Sequence, residues 1–427
     1  MADGGEDSLS GAPAGAGAGH GTAPPRLIGT LDPVLRPYGW GSTTAIPSIL
    51  GVPGTGAPVA EAWYGAHPSA PSRFHSSSVD EPLTEVIARD PDEVLGADVA
   101  RRYGDTLPFL VKLLAAAQPL SIQVHPSAEQ AAAGFAREEA EGVPLDASRR
   151  LYRDPFAKPE VMVALEPFDM MCGFRGTSES AELIDRLGSA LLAPIADALD
   201  PGGADALRGA TDVVRGLRPD RLRGAIEGLV ESAGGVTDGP HATACGWLAR
   251  LGRDHPEDIG VLLALLMNHR RLEPFEACFL PARTLHVYLH GTGVEVMGNS
   301  DNVLRAGLTP KHVAVDDMFG ILDFSPSAPS VLAGPGMSAA GGGPSGPWSY
   351  PVPADEFAVE LLPVDAEVAP TGPEVLLAIA GGSTAEAPGC EPLDLSAGTA
   401  VFVGADIGGY RLTGDGTVVR VRVGSPS

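Results

Sequence analysis

The sequence predicts a mainly β protein with an α-helical insertion and a second, smaller β unit at its C-terminal end. Three observations lead there. Short runs with period-two alternation occupy residues 26 to about 172, a stretch rich in Ala, Leu, Arg, Asp and Glu at helical spacing occupies residues 178 to 272, and β texture returns from residue 273 onward. A chain of 427 residues is too long for one core of ordinary size, and a hydrophobic fraction of 44% supplies the material for two or three packed units.

Residues 1–25 are acidic and rich in small residues with no apolar centre, so they read as a disordered tail and not as a signal peptide or anchor. Residues 26–177 read as a β unit because PYGWGS, EAWYGAHPSAPS and KPEVMVALEP are short alternating runs broken by Pro, Gly and Ser. Residues 178–272 read as helices separated by Gly-rich breaks. The last is expected to start after Pro256-Glu257-Asp258 and to end at Arg270-Arg271, an order of charge that suits the helix dipole. Residues 273–330 return to the first β unit, residues 331–347 form a Gly- and Pro-rich linker, and residues 348–427 form the second β unit, with turns such as Asp415-Gly416. Setting PARTLHVYL (281–289) against SAGTAVFVG (396–404) aligns Thr284 with Thr399 and His286 with Val401. Duplication and chance similarity of strand entries explain that echo equally; if the units are related, only the first keeps its polar centre.

The charge balance excludes some partners. Lys and Arg total 29 against 54 for Asp and Glu, a net charge of -25, so the field repels nucleic acid. A phosphorylated ligand would then need a local cluster of cations. The longest apolar stretch, Ile259 to Met267, is far short of the roughly 20 residues that span a bilayer, so no membrane span is expected. The four cysteines have no paired spacing, which suits a reducing compartment.

Three segments carry the chemistry. In Pro119-Leu-Ser-Ile-Gln-Val-His-Pro126, polar Ser121, Gln123 and His125 alternate with Leu120, Ile122 and Val124, which puts the polar groups on one face of a strand. Alternation alone favours a face turned to solvent at an edge, since half-buried strands are common; the other reading is a face turned into a cavity. In Lys158-Pro-Glu160 the same period puts ammonium and carboxylate on one side, as in a surface ion pair or a site. The third segment, Thr284-Leu-His-Val-Tyr-Leu-His290, followed by Gly-Thr-Gly, reads as a hairpin with its turn near Gly291-Thr292, which places Glu295 opposite Tyr288 on the face of His286. Gln123, His125, Glu160 and His286 make a four-ligand set for zinc, the neutral amide leaving the ion more electron-poor than a second carboxylate would. Downstream, Asp301, Arg305 and Lys311 bring cations to a chain that otherwise lacks them.

At these residues the chain resembles the type I mannose-6-phosphate isomerases of the cupin superfamily. The resemblance rests on YGWGS (38–42), EAWYGAHPSAPS (61–72), LSIQVHP (120–126), KPE (158–160), LHVYL (285–289) and SDNVLRAGLTPKH (300–312), in that order. It implies a catalytic cupin (jelly-roll) barrel interrupted by a helical domain and followed by a second cupin-like barrel without metal. It implies one zinc ion on Gln123, His125, Glu160 and His286, a catalytic role for Arg305, and substrate contacts from Ser121, Lys158 and Lys311. The expected reaction interconverts mannose 6-phosphate and fructose 6-phosphate through a cis-enediol. Glu295 is the first candidate for the base, with Asp301 and Lys158 behind it. The substrate is a small sugar phosphate, with neither nucleic acid nor membrane as partner. A cytoplasmic monomer serving GDP-mannose synthesis is expected, a dimer remaining open. A metal-dependent cupin oxidoreductase is the first rival, disfavoured because Gln123 stands where redox sites offer imidazole. A non-catalytic sugar-binding cupin is the second.

Overall fold

In the computed structural model, residues 26–309, 314–335, 344, 346–363 and 365–425 are described. The expected tail, Lys311 and much of the expected linker lie outside them. Three antiparallel sheets and a helical layer make up the fold. The largest sheet has 11 strands, running 330–332, 277–280, 160–164, 286–298, 109–116, 61–64 and 34–36. The strands at 122–124, 168–174, 267–272 and 304–307 join it around the first half of His286–Gly298. An 8-stranded sheet and a 4-stranded sheet form the C-terminal part, enclosing a core of Leu376, Val401, Val403, Leu412 and their neighbours.

The helices enter where the sheet can spare them. Strands Phe168–Phe174 and Met267–Leu272 are hydrogen-bonded neighbours, with Phe174 opposite Met267, so six helices from Thr177 to Leu265 form one excursion between paired strands. Their apolar faces share a core with Ile122, Val124, Val287, Leu289 and Leu304. The alternation in Ser121–His125 is thereby decided: Ile122 and Val124 are fully buried toward the helices, and Gln123 is left to face the other way. Among the described residues no helix is long and apolar enough to cross a membrane.

Several expectations need correction. The last helix ends at Leu265, not at Arg270-Arg271. Its start was legible, since the Asp258 side chain accepts from the Gly260 N–H, but Met267–Leu272 is a strand because its ladder with Phe168–Phe174 outweighs helical texture. The hairpin near Gly291-Thr292 does not exist either. His286–Gly298 is one strand of 13 residues, paired along its first half with 122–124 and 168–174 and along its second with 109–116 and 160–164. A turn at Gly291 would strip both halves of neighbours. Finally, Ile28–Leu31, expected in the first β unit, is a strand of the C-terminal sheet, paired with Ala400–Val403 and with Arg73–His75. Ile28 and Leu31 are the cause: one side of that strand packs on Val401 and Val403, the other on Phe74 and Phe402. The same apolar layer continues into Val111, Val161 and Val294, so the two β units share a core along their contact.

Candidate metal centre

A cavity of about 480 Å³ opens on the face of the large sheet opposite that shared core. Gln123, Glu160 and His286 lie on its wall, and the described chemistry-bearing residues Ser121, Lys158, Glu295, Asp301 and Arg305 line it as well. His125, Glu160 and His286 are buried, and each offers one donor atom within 4.8 Å of the others.

The spacing of the donor atoms suits a shared cation. His125 Nε2 stands 3.2 Å from Glu160 Oε1 and His286 Nε2 stands 3.4 Å from Glu160 Oε2. Donor atoms held about 2.0–2.1 Å from a tetrahedral zinc are roughly 3.3 Å apart. Both rings spend their other nitrogen on a carbonyl: His125 Nδ1 donates to Asn302 O at 2.7 Å and His286 Nδ1 to Thr284 O at 2.9 Å. Those bonds fix the tautomer and turn the Nε2 lone pairs toward Glu160. His125 Nε2 is fully buried with no hydrogen-bond partner among the described residues. Burial pushes His125 down to about 4, so at neutral pH that nitrogen is a bare lone pair facing a carboxylate. Burial also opposes the charge on Glu160, but positive charge around it, from a protonated His125 or from Lys158, outweighs that and holds the carboxyl well below the ordinary range. With His125 neutral, a metal cation is what answers the lone pairs. Gln123 is the cross-strand partner of His286 and donates its amide N–H to Ser121 Oγ at 3.2 Å, leaving its carbonyl oxygen as the atom able to ligate. The donor set, two imidazoles, a carboxylate and an amide oxygen, fits zinc.

Around this centre the other sequence-derived residues take distinct places. Lys158 Nζ lies 3.2 Å from Glu160 Oε1. Arg305 is the cross-strand partner of Gln123, and among the described residues no ion pair or hydrogen bond engages its guanidinium; burial, and then Arg153 nearby, lower its pKa. Asp301 sits at the rim, half exposed, with His67 Nε2 3.5 Å from its carboxylate. Burial opposes its charge, but the His67 contact outweighs that and keeps the carboxyl low.

Glu295 reaches the cavity by a route the hairpin did not foresee. Strand parity should put residues 286 and 295 on opposite faces. A bulge between Tyr288 and His290 inserts one residue and reverses the parity, so His286, Tyr288, Glu295 and Met297 all line the cavity while Val294 and Val296 enter the shared core. Gly291 makes the passage possible: its φ is +131°, and a Cβ there would lie 2.8 Å from the Phe168 backbone. Glu295 is buried, and its carboxylate takes a hydrogen bond from Lys112 Nζ at 2.7 Å. Burial raises the Glu295 carboxyl.

Lys112 is the residue sequence reasoning missed. It is the cross-strand partner of both Glu295 and Trp63, its Nζ is 3.9 Å from Glu61 and 5.0 Å from the Trp63 ring centre, and Glu61 is held by the Trp63 N–H at 2.7 Å. Burial works against its charge, but Glu295 and Glu61 outweigh it and raise the pKa. The signal was present: a single Lys in FLVKLLAA, whose eight positions are all buried, has to have a charged partner. At the position aligned with His286 the C-terminal unit carries Val401, fully buried in an apolar core, and its buried charge lies elsewhere. In the C-terminal sheet Glu374 is completely buried, accepting from Arg420 Nε at 2.8 Å and Tyr410 Oη at 2.9 Å, though no histidine takes part.

Comparison with known proteins agrees with this centre. Residues 28–177 match the family described as phosphomannose isomerase type I, catalytic domain. The chain is 36% identical over 400 residues to mannose-6-phosphate isomerase of Escherichia coli (strain K12), covering 91% of this chain and 97% of that protein. It is 28% identical over 421 residues to the Rattus norvegicus mannose-6-phosphate isomerase, covering 90% and 95%. Its fold is similar to the crystal structure of mannose 6-phosphate isomerase from Salmonella typhimurium bound to substrate (f6p) and metal atom (zn), with a TM-score of 0.83 and 34% identity over 93% of this chain and 99% of that one. An aligned length that spans nearly both chains, together with a donor cluster fit for zinc, means that this chain belongs to the type I phosphomannose isomerase family.

Proposed function

We propose that the chain interconverts mannose 6-phosphate and fructose 6-phosphate with one zinc ion held by Gln123, His125, Glu160 and His286. The observation that carries this reading is the buried His125–Glu160–His286 cluster, with Glu160 and His286 on the wall of a cavity of about 480 Å³. The ion supplies Lewis-acid polarisation of the substrate oxygens.

The remaining steps belong to the chain. Moving the carbonyl between C1 and C2 removes a proton from one carbon and returns it to the next through a cis-enediol, which needs a base and relief of negative charge on oxygen. Glu295 is the base: burial raises its carboxyl toward the working range, and Lys112 holds it in place. Arg305, whose guanidinium has no described partner, offsets the charge of the enediolate. Ser121 and Lys311 hold the phosphate, with Lys158 and Asp301 orienting the sugar; binding energy from the remote phosphate then aligns the reacting carbons. We further place the protein in the cytoplasm as a monomer supplying mannose phosphate for GDP-mannose synthesis. Its parts are a catalytic unit of residues 26–177 and 273–330, a helical insertion of 178–272 and a C-terminal unit of 348–427, with Ile28–Leu31 lent to the C-terminal sheet.

The test is a coupled assay of fructose 6-phosphate formation with metal analysis of the purified protein. Near-stoichiometric zinc and loss of turnover after chelation, restored by zinc, are expected. Turnover that survives complete metal removal refutes the reading.

A further inference from the structure

His286 finds its Nδ1 acceptor two residues away in its own chain, at Thr284 O. His125 does not. Its acceptor, Asn302 O, is 177 residues distant in sequence, so something has to bring that carbonyl to it and keep it there. The Asn302 side chain is completely buried and every polar atom of its amide is engaged. Oδ1 accepts from the Arg153 N–H at 2.7 Å and from the Asp154 N–H at 3.4 Å. Nδ2 donates to Asp154 O at 2.8 Å, to Phe156 O at 3.0 Å and to Asp154 Oδ1 at 3.2 Å. The backbone N–H of Asn302 donates to Ser300 Oγ, which itself donates to Asp154 Oδ1 at 2.7 Å. Nothing of Asn302 is left over for a ligand, so whatever it does for the site it does by placement.

The partner it grips is not arbitrary. The segment 153–156 leads through Lys158 and Pro159 into Glu160, the carboxylate that faces both imidazoles. One carboxamide therefore ties the chain that delivers Glu160 to the carbonyl that orients His125. We propose that Asn302 is a positioning residue of the metal centre, setting the spacing of His125 and Glu160 by clamping residues 153–156 onto the turn at Ser300–Asn302. This rests on the zinc reading above and adds a residue to it. Truncating the side chain leaves the acceptor carbonyl in the chain but frees it, and the segment leading to Glu160, to drift. Substitutions behind first ligands typically cost about 10–100-fold in metal affinity.

The experiment measures zinc affinity of the full chain by competition with a chromogenic chelator, alongside melting of the zinc-free and zinc-loaded forms. Asn302→Ala is expected to bind zinc about 10–100-fold more weakly and to melt with a smaller gap between the two forms. Glu374→Gln, in the C-terminal sheet, serves as the comparison: it lowers both melting points together and leaves zinc affinity alone. If Asn302→Ala behaves like that comparison, with affinity within about threefold of the parent, the inference is overturned. Should Asn302→Ala fail to fold, Ser300→Ala decides, since it removes the hydroxyl that links Asn302 N–H to Asp154 in the same clamp: a loss of about threefold or more supports the inference and unchanged affinity overturns it. A parent chain that binds no zinc would instead overturn the metal reading beneath.

Discussion

Replacing Lys112 and replacing Glu295 should have very unequal effects on stability, although the two form one hydrogen bond of 2.7 Å. The reason is a charge count. Two carboxylates, Glu295 and Glu61, share one ammonium, and all three groups are buried. At an effective dielectric constant of about 20 an ammonium–carboxylate contact is worth about 6 kcal/mol at the shorter of these separations and about 4 kcal/mol at the longer, before desolvation is subtracted. Glu295→Gln removes the closer contact but leaves Lys112 neutralised by Glu61, so the net loss is about 1.5–3 kcal/mol, that of a charge-assisted hydrogen bond. Lys112→Met leaves two carboxylates buried with no cation between them, at about 3–5 kcal/mol. The carboxylates can escape by taking up a proton, and the raised Glu295 carboxyl is the one to do so. A raised folded pKa means that the folded state holds the proton more tightly. The Lys112→Met deficit is therefore largest at and above neutral pH and shrinks as pH falls toward the unfolded carboxylate value of about 4.3. Urea unfolding of the zinc-loaded variants at pH 7.5 and pH 5.5 reads both effects. A Lys112→Met loss no larger than that of Glu295→Gln, or one independent of pH, refutes the shared-ammonium account.

Arg305→Ala should lower kcat by about 10²–10³-fold with zinc content unchanged. Steady-state kinetics that show a raised KM at unaltered kcat would assign Arg305 to binding alone. Glu295→Gln should lower kcat/KM by at least about 10²-fold at every pH. A variant that keeps its turnover moves the base to Asp301 or Lys158. Asp169 provides a stability test away from the cavity. Burial opposes its charge, but the His269 hydrogen bond at 2.9 Å and the Arg271 charge outweigh it and depress its pKa. Its contribution is present above the unfolded value of about 3.9 and is lost as pH falls through the folded one, so Asp169→Asn should be destabilised at pH 7 and by progressively less below pH 4. Denaturation midpoints compared across that range check it, and a constant gap would be contrary to the reasoning.

What could be read from the chain and what could not divides along the distance over which each feature is determined. The polar row Ser121, Gln123, His125 was legible because strand parity is local, and the helical texture after residue 177 was legible because periodicity is local. Glu295 reached the correct face for the wrong reason. A bulge and a turn both reverse parity, and only pairing with four other strands tells them apart. The strand Met267–Leu272 was hidden by its neighbours: MNHRRL follows an apolar helix and continues its charge pattern, while the partner that makes it a strand lies about a hundred positions earlier. Lys112 and Asn302 differ in how far their roles are locally determined. A lone cation amid FLVKLLAA is a local signal that was available, whereas nothing near Asn302 announces that its amide will meet residues 153–156.

The pairing of Ile28–Leu31 with Ala400–Val403 has a consequence for how the protein is made. The first described strand to leave a ribosome joins one of the last, so the C-terminal sheet cannot close until nearly the whole polypeptide has emerged. At about 5–20 residues per second that is a wait of roughly 20–75 s, during which one edge of Ile28–Leu31 lacks its partner strand while the other can already pair with Arg73–His75. Conditions during synthesis therefore act on assembly speed and yield while leaving the finished enzyme unaffected.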